Sequence, residues 1–434
     1  MTEREQHRVV VTGVGVLAPN AHGKAAFATA LREGKSGIRF HPHLAEAGFA
    51  CQVGGIPEGV EELQRGYLTD EELLAMNPNM IYAAIAAIDA WTDAGLARIP
   101  PEANEVDWET GAIIGTGIGG IDTIAEKLVP RVDAGKVSRL GSTMVEQIMS
   151  SGNSARIAGI LALGNQVSTN SSACNTGTEA VIDAFLRIRE GRARRMLAGG
   201  SEGPSKYIWA GFDAMRVLAR NKNLTPTAAS RPMSATANGF VPGSGAGVLM
   251  LESLESAEAR GARIYAEVLS GFVCCGGHRM GGSMTAPNPR GVQRCIEGAL
   301  AMAGIDGSQV DAINGHLTAT FADPLEVANW ARALRLTPDR MPLLQSTKSL
   351  IGHALGAAGG IECVASVLEL HHGFVHGSSN CDDVHPELLP YRDRIVHRTV
   401  ERPDLGIIAK ASFGFGDVNG CVIFGARGRA NGDI

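Results

Sequence analysis

Residues 168–180, Ser-Thr-Asn-Ser-Ser-Ala-Cys-Asn-Thr-Gly-Thr-Glu-Ala, constrain the fold of this chain most strongly. A polar run compatible with a β-strand leads into them, and apolar residues at helical spacing predict a helix over residues 177–189. Cys174 therefore falls at or just before a helix N-terminus, where free N–H groups and the helix dipole favour the nucleophilic thiolate. The alternative, a small buried cysteine in a tight turn, fits this segment equally well.

Strands and helices alternate along the rest of the chain. Predicted helices cover residues 77–94, 145–162, 291–304 and 323–334, and predicted strands cover residues 195–200, 248–251, 264–272, 310–314, 406–410 and 420–425. This alternation predicts an α/β fold with buried sheets. Each half begins with a strand and contains a late polar turn that leads into a Gly/Ala-rich segment. We therefore expect a duplicated α/β unit with halves at residues 1–255 and 256–434.

A glycine-rich pattern near the N-terminus resembles a dinucleotide-binding turn. Gly13, Gly15 and Ala18 follow the apolar run Val-Val-Val and satisfy G-x-G-x-x-A, which predicts a short strand followed by a glycine turn. Pro19 and Asn20 stand where the helix of such a site should already run, and no acidic residue ends a second strand about 20 residues on. A nucleotide site is therefore disfavoured here.

Charge and hydropathy exclude several classes of partner. The formal net charge of −6 argues against nucleic acid or an anionic membrane as a general partner. No apolar run approaches the roughly 18 residues that a membrane span requires. Residues 1–8 are polar with no apolar segment behind them, so no signal peptide is expected. The eight cysteines show no framework spacing, which predicts reduced thiols and a cytoplasmic location.

Three further polar residues lie at the ends of predicted elements, beside or near glycines. His316 falls in residues 314–320, and Lys348 and His353 fall in residues 348–362, whose Gly/Ala content predicts a helix packed against another backbone. Either histidine alone would more often be structural. α/β folds place their sites at such positions, and one cysteine with two histidines suggests acyl-thioester chemistry.

The polar segments together resemble one known family. The motifs are Val-Thr-Gly-Val-Gly, Ser-Ala-Cys-Asn-Thr-Gly, Asn-Gly-His-Leu-Thr-Ala-Thr, Lys-Ser-Leu-Ile-Gly-His-Ala-Leu-Gly-Ala-Ala-Gly and Ser-Phe-Gly-Phe-Gly, in this order over nearly the whole chain. They are similar to those of the β-ketoacyl-acyl carrier protein synthases of the thiolase superfamily, closest to the elongating ketosynthase II group. The resemblance implies a duplicated five-layer α-β-α-β-α body. It also implies a homodimer, or a heterodimer with a chain-length partner, and no metal or redox cofactor.

The resemblance implies a Claisen condensation and assigns roles to the polar residues. Cys174 would take an acyl chain from acyl carrier protein, and malonyl carrier protein would then lose CO₂ and attack the acyl thioester. Backbone N–H groups of Cys174 and Phe415 would bind the oxyanion. His316 and His353 would donate hydrogen bonds to the enolate.

Supporting roles follow from the same resemblance. Lys348, with Glu362 as its charge partner, would orient the site and set its electrostatics. The substrate-binding set comprises Thr318 and Thr320 for the pantetheine arm, Phe413 and Phe415 for the turn that gates the acyl channel, and Gly117 and Ile118 for the channel floor. Because carrier proteins are acidic, an acidic enzyme needs local cations at the entrance. Arg220, Lys127 and Arg131 are the candidates, with ordinary solvated charges as the alternative.

Four positions depart from the family pattern: Ser234, Ser244, Leu317 and Asp417. They leave the catalytic set intact and suggest a specialised ketosynthase, for example one that makes a polyene or a reduced polyketide.

Three rival classes are less favoured. A non-catalytic chain-length partner typically lacks the cysteine that stands here as Cys174. A decarboxylase-only ketosynthase usually has Gln at that position. A thiolase uses a second cysteine near the C-terminus, whereas Cys421 lies in a plain predicted strand.

Overall fold

The computed structural model describes residues 6–427. Residues 1–5 of the N-terminal stretch examined for a signal peptide lie outside this range. Among the described residues, the helices are too short or too polar to cross a membrane.

The strands, in chain order, are β1 Val9–Ala18, β2 Ala21–His22, β3 Ile38–Phe40, β4 Val53–Gly55, β5 Thr110–Gly115, β6 Val167–Ser168, β7 Arg195–Glu202, β8 Gly245–Ser253, β9 Ala266–Cys275, β10 Ala312–Asn314, β11 Leu343–Gln345, β12 Phe374–Val375, β13 Val400–Glu401, β14 Ile407–Gly414 and β15 Val418–Gly425. The α-helices are α1 Lys24–Glu33, α2 Pro42–Glu46, α3 Val60–Leu63, α4 Asp70–Leu74, α5 Pro78–Asp93, α6 Ile121–Thr123, α7 Val129–Asp133, α8 Met144–Ile148, α9 Gly152–Leu161, α10 Thr176–Arg189, α11 Lys206–Ala214, α12 Leu254–Ala259, α13 Pro289–Ala303, α14 Asp323–Leu334, α15 Lys348–Ile351 and α16 Ala358–His372.

The main sheet shows the duplication directly. Its strand order is β11-β10-β14-β15-β9-β1-β8-β7-β5-β6, with β2 paired to β1. At the centre, β1 and β9 pair only over residues 9–11 and 266–268. If the five strands of each half are numbered in chain order, their order from the outer edge of the sheet to this contact is 3-2-4-5-1 in both halves. Parallel and antiparallel pairs fall at equivalent places in the two halves. The division at residue 255 itself stays a prediction.

Helices cover and separate the two half-sheets. The helices α10 and α16 lie between them, and their apolar residues form one core cluster with inward-facing residues of both. A second cluster joins one half-sheet to α5 and α9, and a third joins the other to α13 and α14. The result is the expected α-β-α-β-α order of layers, because each sheet buries both of its faces.

Glycines allow α10 and α16 to approach backbone to backbone. A Cβ on Gly177 would lie 2.4 Å from the amide nitrogen of Gly360, and one on Gly359 would lie 2.4 Å from that of Thr178. Any side chain would push the helices apart. Because the Cys174 segment leads into α10 and the His353 segment leads into α16, this contact brings the two segments together.

Several local predictions were wrong for physical reasons. The strand β1 continues through Gly13 and Gly15, which make no turn. A Cβ on either would fall within 2.1 Å of a backbone oxygen of α5, so these glycines serve helix–sheet packing. Elsewhere, Pro130 lies in the first turn of α7, which follows a π-helical turn at Ile124–Leu128 and where proline is tolerated.

The helix predicted over residues 348–362 is broken. It consists of α15, a turn at Gly352 with φ of 73°, a 3₁₀ turn at Leu355–Ala357 and the start of α16. Glycine suits this backbone conformation because it lacks a Cβ. The break matters for the site because His353 lies in it.

Candidate active site

Cys174 lies in a 3₁₀ turn, Ala173–Asn175, immediately before α10. Its side chain is almost fully buried, and the backbone N–H of Phe415 lies close enough to the sulfur to lower the thiol pKa. Burial raises the pKa of the Cys174 thiol to about 11, although the Lys348 charge and the Phe415 N–H both lower it. The prediction that the helix N-terminus keeps Cys174 as a thiolate is therefore wrong for the protein without substrate. Desolvation raises the thiol pKa by more than the nearby positive charges lower it.

Two histidines approach the thiol from the second half of the chain. One ligand-capable atom each of Cys174, His316 and His353 lies within 4.8 Å of the others, and the two imidazole centroids are 5.3 Å apart. Desolvation, followed by the positive charge of Lys348, holds the pKa of both imidazoles well below its ordinary value. Both rings are therefore neutral near pH 7, so each offers one N–H donor and one acceptor.

The tautomer of His353 follows from its backbone contact. Its Nδ1 accepts a hydrogen bond from the N–H of Leu355 at 3.3 Å, which leaves the proton on Nε2. The buried Nδ1 of His316 has no hydrogen-bond partner among the described residues.

A buried ion pair lies behind the histidines. Lys348, at the start of α15, pairs with Oε1 of Glu362 in α16, and both side chains are essentially inaccessible. The other oxygen of Glu362 lies 2.7 Å from Nζ of Lys410, a buried residue of β14 that sequence reasoning missed. The pair predicted from the family motif is thus a cluster of three charges.

A carboxylate fixes the loop that holds His316. Glu326, near the start of α14, accepts hydrogen bonds from the backbone N–H groups of His316 at 2.7 Å and Leu317 at 2.8 Å. Asp323 accepts from the N–H groups of Thr318 and Ala319 in the same way. Burial raises the pKa of Glu326 to about 7 and that of Asp323 to about 6. The only indication of these two contacts in the sequence is that Asp323 and Glu326 follow His316 closely along the chain.

Aromatic rings surround the site. The ring of Phe413 lies 6.2 Å from His316, and that of Phe415 lies 6.0 Å from Phe212 in α11. The ring of Phe240 bridges the two sets, at 5.3 Å from Phe212 and 5.2 Å from His353. The sequence predicted roles for Phe413 and Phe415 but not for Phe212 or Phe240, which are distant along the chain.

The other predicted substrate residues fall in two places. The hydroxyl oxygens of Thr318 and Thr320 lie 3.0 Å apart, and both residues follow His316 closely in the sequence. Gly117 and Ile118 donate backbone hydrogen bonds to the buried carboxylate of Glu202, at 2.8 Å and 3.3 Å. Glu202 also accepts from the N–H of Gly356, which ties the Gly117 turn to the segment after His353. The side chain of Ile118 is 49% exposed in the single chain.

Within residues 6–427, the group of side chains spaced closely enough to hold a metal ion is Cys174, His316 and His353. Their spacing also suits acyl transfer between the thiol and a substrate held by the imidazoles. We assign no metal to them, and the expected absence of a cofactor stays a prediction.

Comparison with known proteins agrees with this geometry. The N-terminal domain model of the β-ketoacyl synthases matches residues 6–257, and the C-terminal domain model matches residues 265–382. The chain is 35% identical to 3-oxoacyl-[acyl-carrier-protein] synthase 2 of Rhizobium meliloti (strain 1021), over 96% of this chain and 98% of that protein. The chain belongs to the β-ketoacyl synthase family.

Solved ketosynthase structures share the fold of this β-ketoacyl synthase. The ishigamide ketosynthase/chain length factor structure has a TM-score of 0.87 and 30% identity, covering 98% of this chain and 100% of that one. A type II PKS acyl-carrier protein in complex with its ketosynthase bound to the hexaketide gives a TM-score of 0.84 and 28% identity, covering 97% and 100%. The thiolase-like fold expected from the sequence is thereby confirmed.

Two positions where this synthase departs from its family pattern are buried and hydrogen-bonded. Ser234 donates to a carboxylate oxygen of Asp383 at 2.6 Å, and Arg231 donates to the same oxygen at 3.0 Å. An acidic residue from a distant part of the chain therefore lies beside Ser234. Ser244 is buried and donates to the carbonyl of Gly55 at 3.2 Å.

The other two departures are close in sequence to residues of the site, Leu317 to His316 and Asp417 to Phe415. Leu317 is buried with φ of 21°, beside His316. Asp417, with φ of 61°, accepts hydrogen bonds from the N–H groups of His278 at 3.0 Å and Asn288 at 2.8 Å. Both residues adopt a backbone conformation that favours glycine.

The three candidate docking cations of this synthase differ in their surroundings. Arg220 is half-buried and donates to the carbonyl of Asp213 at the end of α11, the helix whose Phe212 contacts Phe415. Lys127 is exposed, and its Nζ lies 3.5 Å from Oε1 of Gln147. The guanidinium of Arg131 donates to the backbone carbonyl of Lys127. Arg220 therefore contacts the helix α11, which in turn contacts Phe415 beside the thiol.

Proposed function

We propose that this protein catalyses the decarboxylative Claisen condensation of an acyl group held on Cys174 with malonyl-acyl carrier protein. The supporting observation is the approach of Cys174, His316 and His353 to within 4.8 Å, with the Phe415 N–H close to the sulfur. This arrangement offers a nucleophile, two neutral imidazole donors and a backbone donor in one buried site.

In the first half-reaction, the Cys174 sulfur attacks the acyl thioester and the carrier-protein thiol leaves with the thiol proton. Burial raises the thiol pKa, so the attacking thiolate is a minor species at neutral pH, and the Lys348 charge and the Phe415 N–H both stabilise it. The N–H groups of Cys174 and Phe415 stabilise the negative oxygen that develops on the thioester carbon.

In the second half-reaction, the malonyl thioester loses CO₂ and leaves an enolate. The N–H of His353 Nε2 and an N–H of His316 donate to the enolate oxygen, and both rings can do so while neutral. The enolate carbon then bonds to the acyl carbon, the bond to sulfur breaks, and Cys174 is released as a thiolate. Thr318 and Thr320 would hold the pantetheine arm, and Phe413 and Phe415 would gate the acyl channel.

Carrier proteins are the proposed partners, with Arg220 the leading docking residue ahead of Lys127 and Arg131. A second subunit is proposed at the end of the main sheet, where Val167 of β6 is 36% exposed. Among the described residues, one edge of β6 has no partner strand. A homodimer leads, with a chain-length partner as the alternative. The cytoplasmic location also stays a prediction.

Intact mass after incubation with a panel of acyl carrier proteins tests the proposal. The parent protein should gain one acyl group, and Cys174→Ala should gain none while keeping its fold. Cys174→Gln should release CO₂ from malonyl carrier protein without forming a condensation product. Undiminished acylation or condensation by Cys174→Ala would contradict the assignment, and loss of all decarboxylation in Cys174→Gln would contradict the role of the two histidines.

A further inference from the structure

Residues 276–288 form a mostly exposed loop between β9 and α13 that contains no helix or strand. The loop lies against the turn between β14 and β15. The N–H of Gly276 donates to the carbonyl of Asp417 at 2.9 Å, and the N–H of Gly416 donates to the carbonyl of Met284 at 2.8 Å. These hydrogen bonds run in both directions, so the loop and the turn hold each other in place.

The carboxylate of Asp417 adds the strongest contacts between them. The residue is 1% exposed, and both of its carboxylate oxygens accept hydrogen bonds from the loop: Oδ2 from the N–H of His278 at 3.0 Å and Oδ1 from the N–H of Asn288 at 2.8 Å. Hydrogen bonds to a charged acceptor are stronger than those between neutral groups. A buried carboxylate also needs such donors, so Asp417 and these N–H groups form a clamp between the loop and the turn.

The loop backbone is shaped to fit this carboxylate. A Cβ on Gly276 would lie 2.3 Å from Oδ2 of Asp417, and one on Gly282 would lie 2.6 Å from the same oxygen. Asp417 has φ of 61°, a conformation that costs energy for a residue other than glycine and that the surrounding contacts must hold. These contacts explain why aspartate can stand where the family pattern has glycine.

The clamped turn is the one beside the thiol. Phe415 lies two residues before Asp417, and its ring is 6.0 Å from that of Phe212. A Cβ on Gly414 would lie 3.1 Å from the backbone nitrogen of Cys174, so the turn packs directly on the backbone of the nucleophile. Any contact that immobilises this turn therefore also fixes Phe415 relative to the sulfur.

We propose that Asp417 is a positioning residue for acyl transfer. It holds residues 276–288 against the turn and so fixes the ring of Phe415 beside the thiol. Acyl groups then reach Cys174 only if they fit without displacing that ring. The inference rests on the proposed function, in which Phe415 gates the acyl channel. Because a branch next to the thioester carbon adds bulk close to the sulfur, the Asp417 clamp favours straight-chain over α-branched acyl groups.

Two variants weaken the clamp to different degrees. Asp417→Asn tolerates the same backbone conformation but keeps only one acceptor oxygen, whereas Asp417→Gly removes the whole side chain. Asp311→Asn is the matched control, because an oxygen of Asp311 accepts from the N–H groups of Gly406 and Ile407 at 2.8 Å each, at the opposite end of β14 from the turn. Intact mass follows acylation of Cys174 by straight-chain and α-branched acyl carrier proteins of equal chain length.

The measured quantity is the acylation rate with the branched acyl group divided by the rate with the straight one. This ratio should rise about tenfold in Asp417→Gly and by a smaller factor in Asp417→Asn, since one methyl group in a fixed pocket changes rates about 10- to 200-fold. Asp311→Asn should keep the ratio of the parent. An unchanged or lower ratio in both Asp417 variants would overturn the inference even if both rates fell, and so would an equal rise in Asp311→Asn.

Amide hydrogen exchange on the parent protein covers the case in which the variants do not fold. The N–H groups of Gly276 and Gly416 should exchange at least about tenfold more slowly than in an unfolded chain, because both are hydrogen-bonded across the clamp. Faster exchange would overturn the inference. Failure of the parent to acylate Cys174 would instead contradict the proposed function, so the two failures are distinguishable.

Discussion

His353 Nδ1 accepts a hydrogen bond from the backbone N–H of Leu355 at 3.3 Å. The contact joins the turn after α15 to the 3₁₀ turn before α16, so the break between these helices both exposes the imidazole to the thiol and selects its tautomer. A continuous helix over the same residues would use the Leu355 N–H for its own ladder. The broken helix is therefore what makes Nε2 the donor.

Replacement of His353 by either amide tests this geometry. The amide nitrogen of Gln can take the place of Nε2, whereas that of Asn is closer to the position of Nδ1. We expect His353→Gln to keep malonyl decarboxylation within about tenfold of the parent, and His353→Asn to lose about 10²- to 10³-fold, as for removal of one preorganised donor. CO₂ release measures both. Equal activities of the two variants would contradict the assigned tautomer.

Removal of the Lys348 charge should slow acylation. The charge lowers the Cys174 pKa against desolvation, so Lys348→Met should raise that pKa further and move the pH dependence of acylation to higher pH. A thiol pKa higher by about one slows acylation at fixed pH about tenfold, because the thiolate fraction falls by that factor. Intact mass against time measures the rate, and Lys136→Met, at an exposed position, is the control. An unchanged pH dependence in Lys348→Met would show that this charge does not act on the thiol.

Two glycine substitutions separate backbone packing from helix propensity. Gly177→Ala should destabilise the protein by about 1–3 kcal/mol, because its Cβ would lie 2.4 Å from the Gly360 nitrogen. It should also lower acylation, since the helix after Cys174 must move. Gly159→Ala in α9 meets open space and should raise stability by up to about 1 kcal/mol. Denaturant unfolding compares them, and similar effects would contradict the close helix contact.

Charge reversal at Arg220 tests the docking proposal. Arg220→Glu should raise KM for carrier-protein substrates about tenfold or more, with little change for small acyl thioesters. Arg220→Gln should give an intermediate effect, because it removes the charge without reversing it. Arg340→Glu, at an exposed position before β11, serves as the control. Equal effects on both substrate classes would point instead to the internal contact of Arg220 with Asp213.

Local sequence patterns predicted the elements around the site well. Residues 77–94 were predicted helical from apolar spacing, and the helix observed is Pro78–Asp93, capped by Asn77. The family motifs assigned Cys174, His316 and His353 to one site, and the structure brings them together. Roles for these residues stay predictions until the variants are measured.

Contacts between distant segments could not be predicted in the same way. The partners of Glu362, His316 and Phe415 include Lys410, Glu326 and Phe212, which lie 48, 10 and 203 positions away along the chain. Of these, only the Glu326 interval is short enough for spacing to suggest a contact. Asp383 lies beside Ser234 although the two residues are far apart in the sequence, so this contact could not be predicted either.

Amino-acid patterns alone were enough to predict most strands and helices, the family and the residue types of the reacting groups. The electrostatics of the site could be read only from the folded chain. A helix N-terminus favours a thiolate in isolation, yet enclosure between two half-sheets removes water and raises the Cys174 pKa to about 11. Desolvation and through-space charge depend on everything packed around a group, and local sequence does not contain that information.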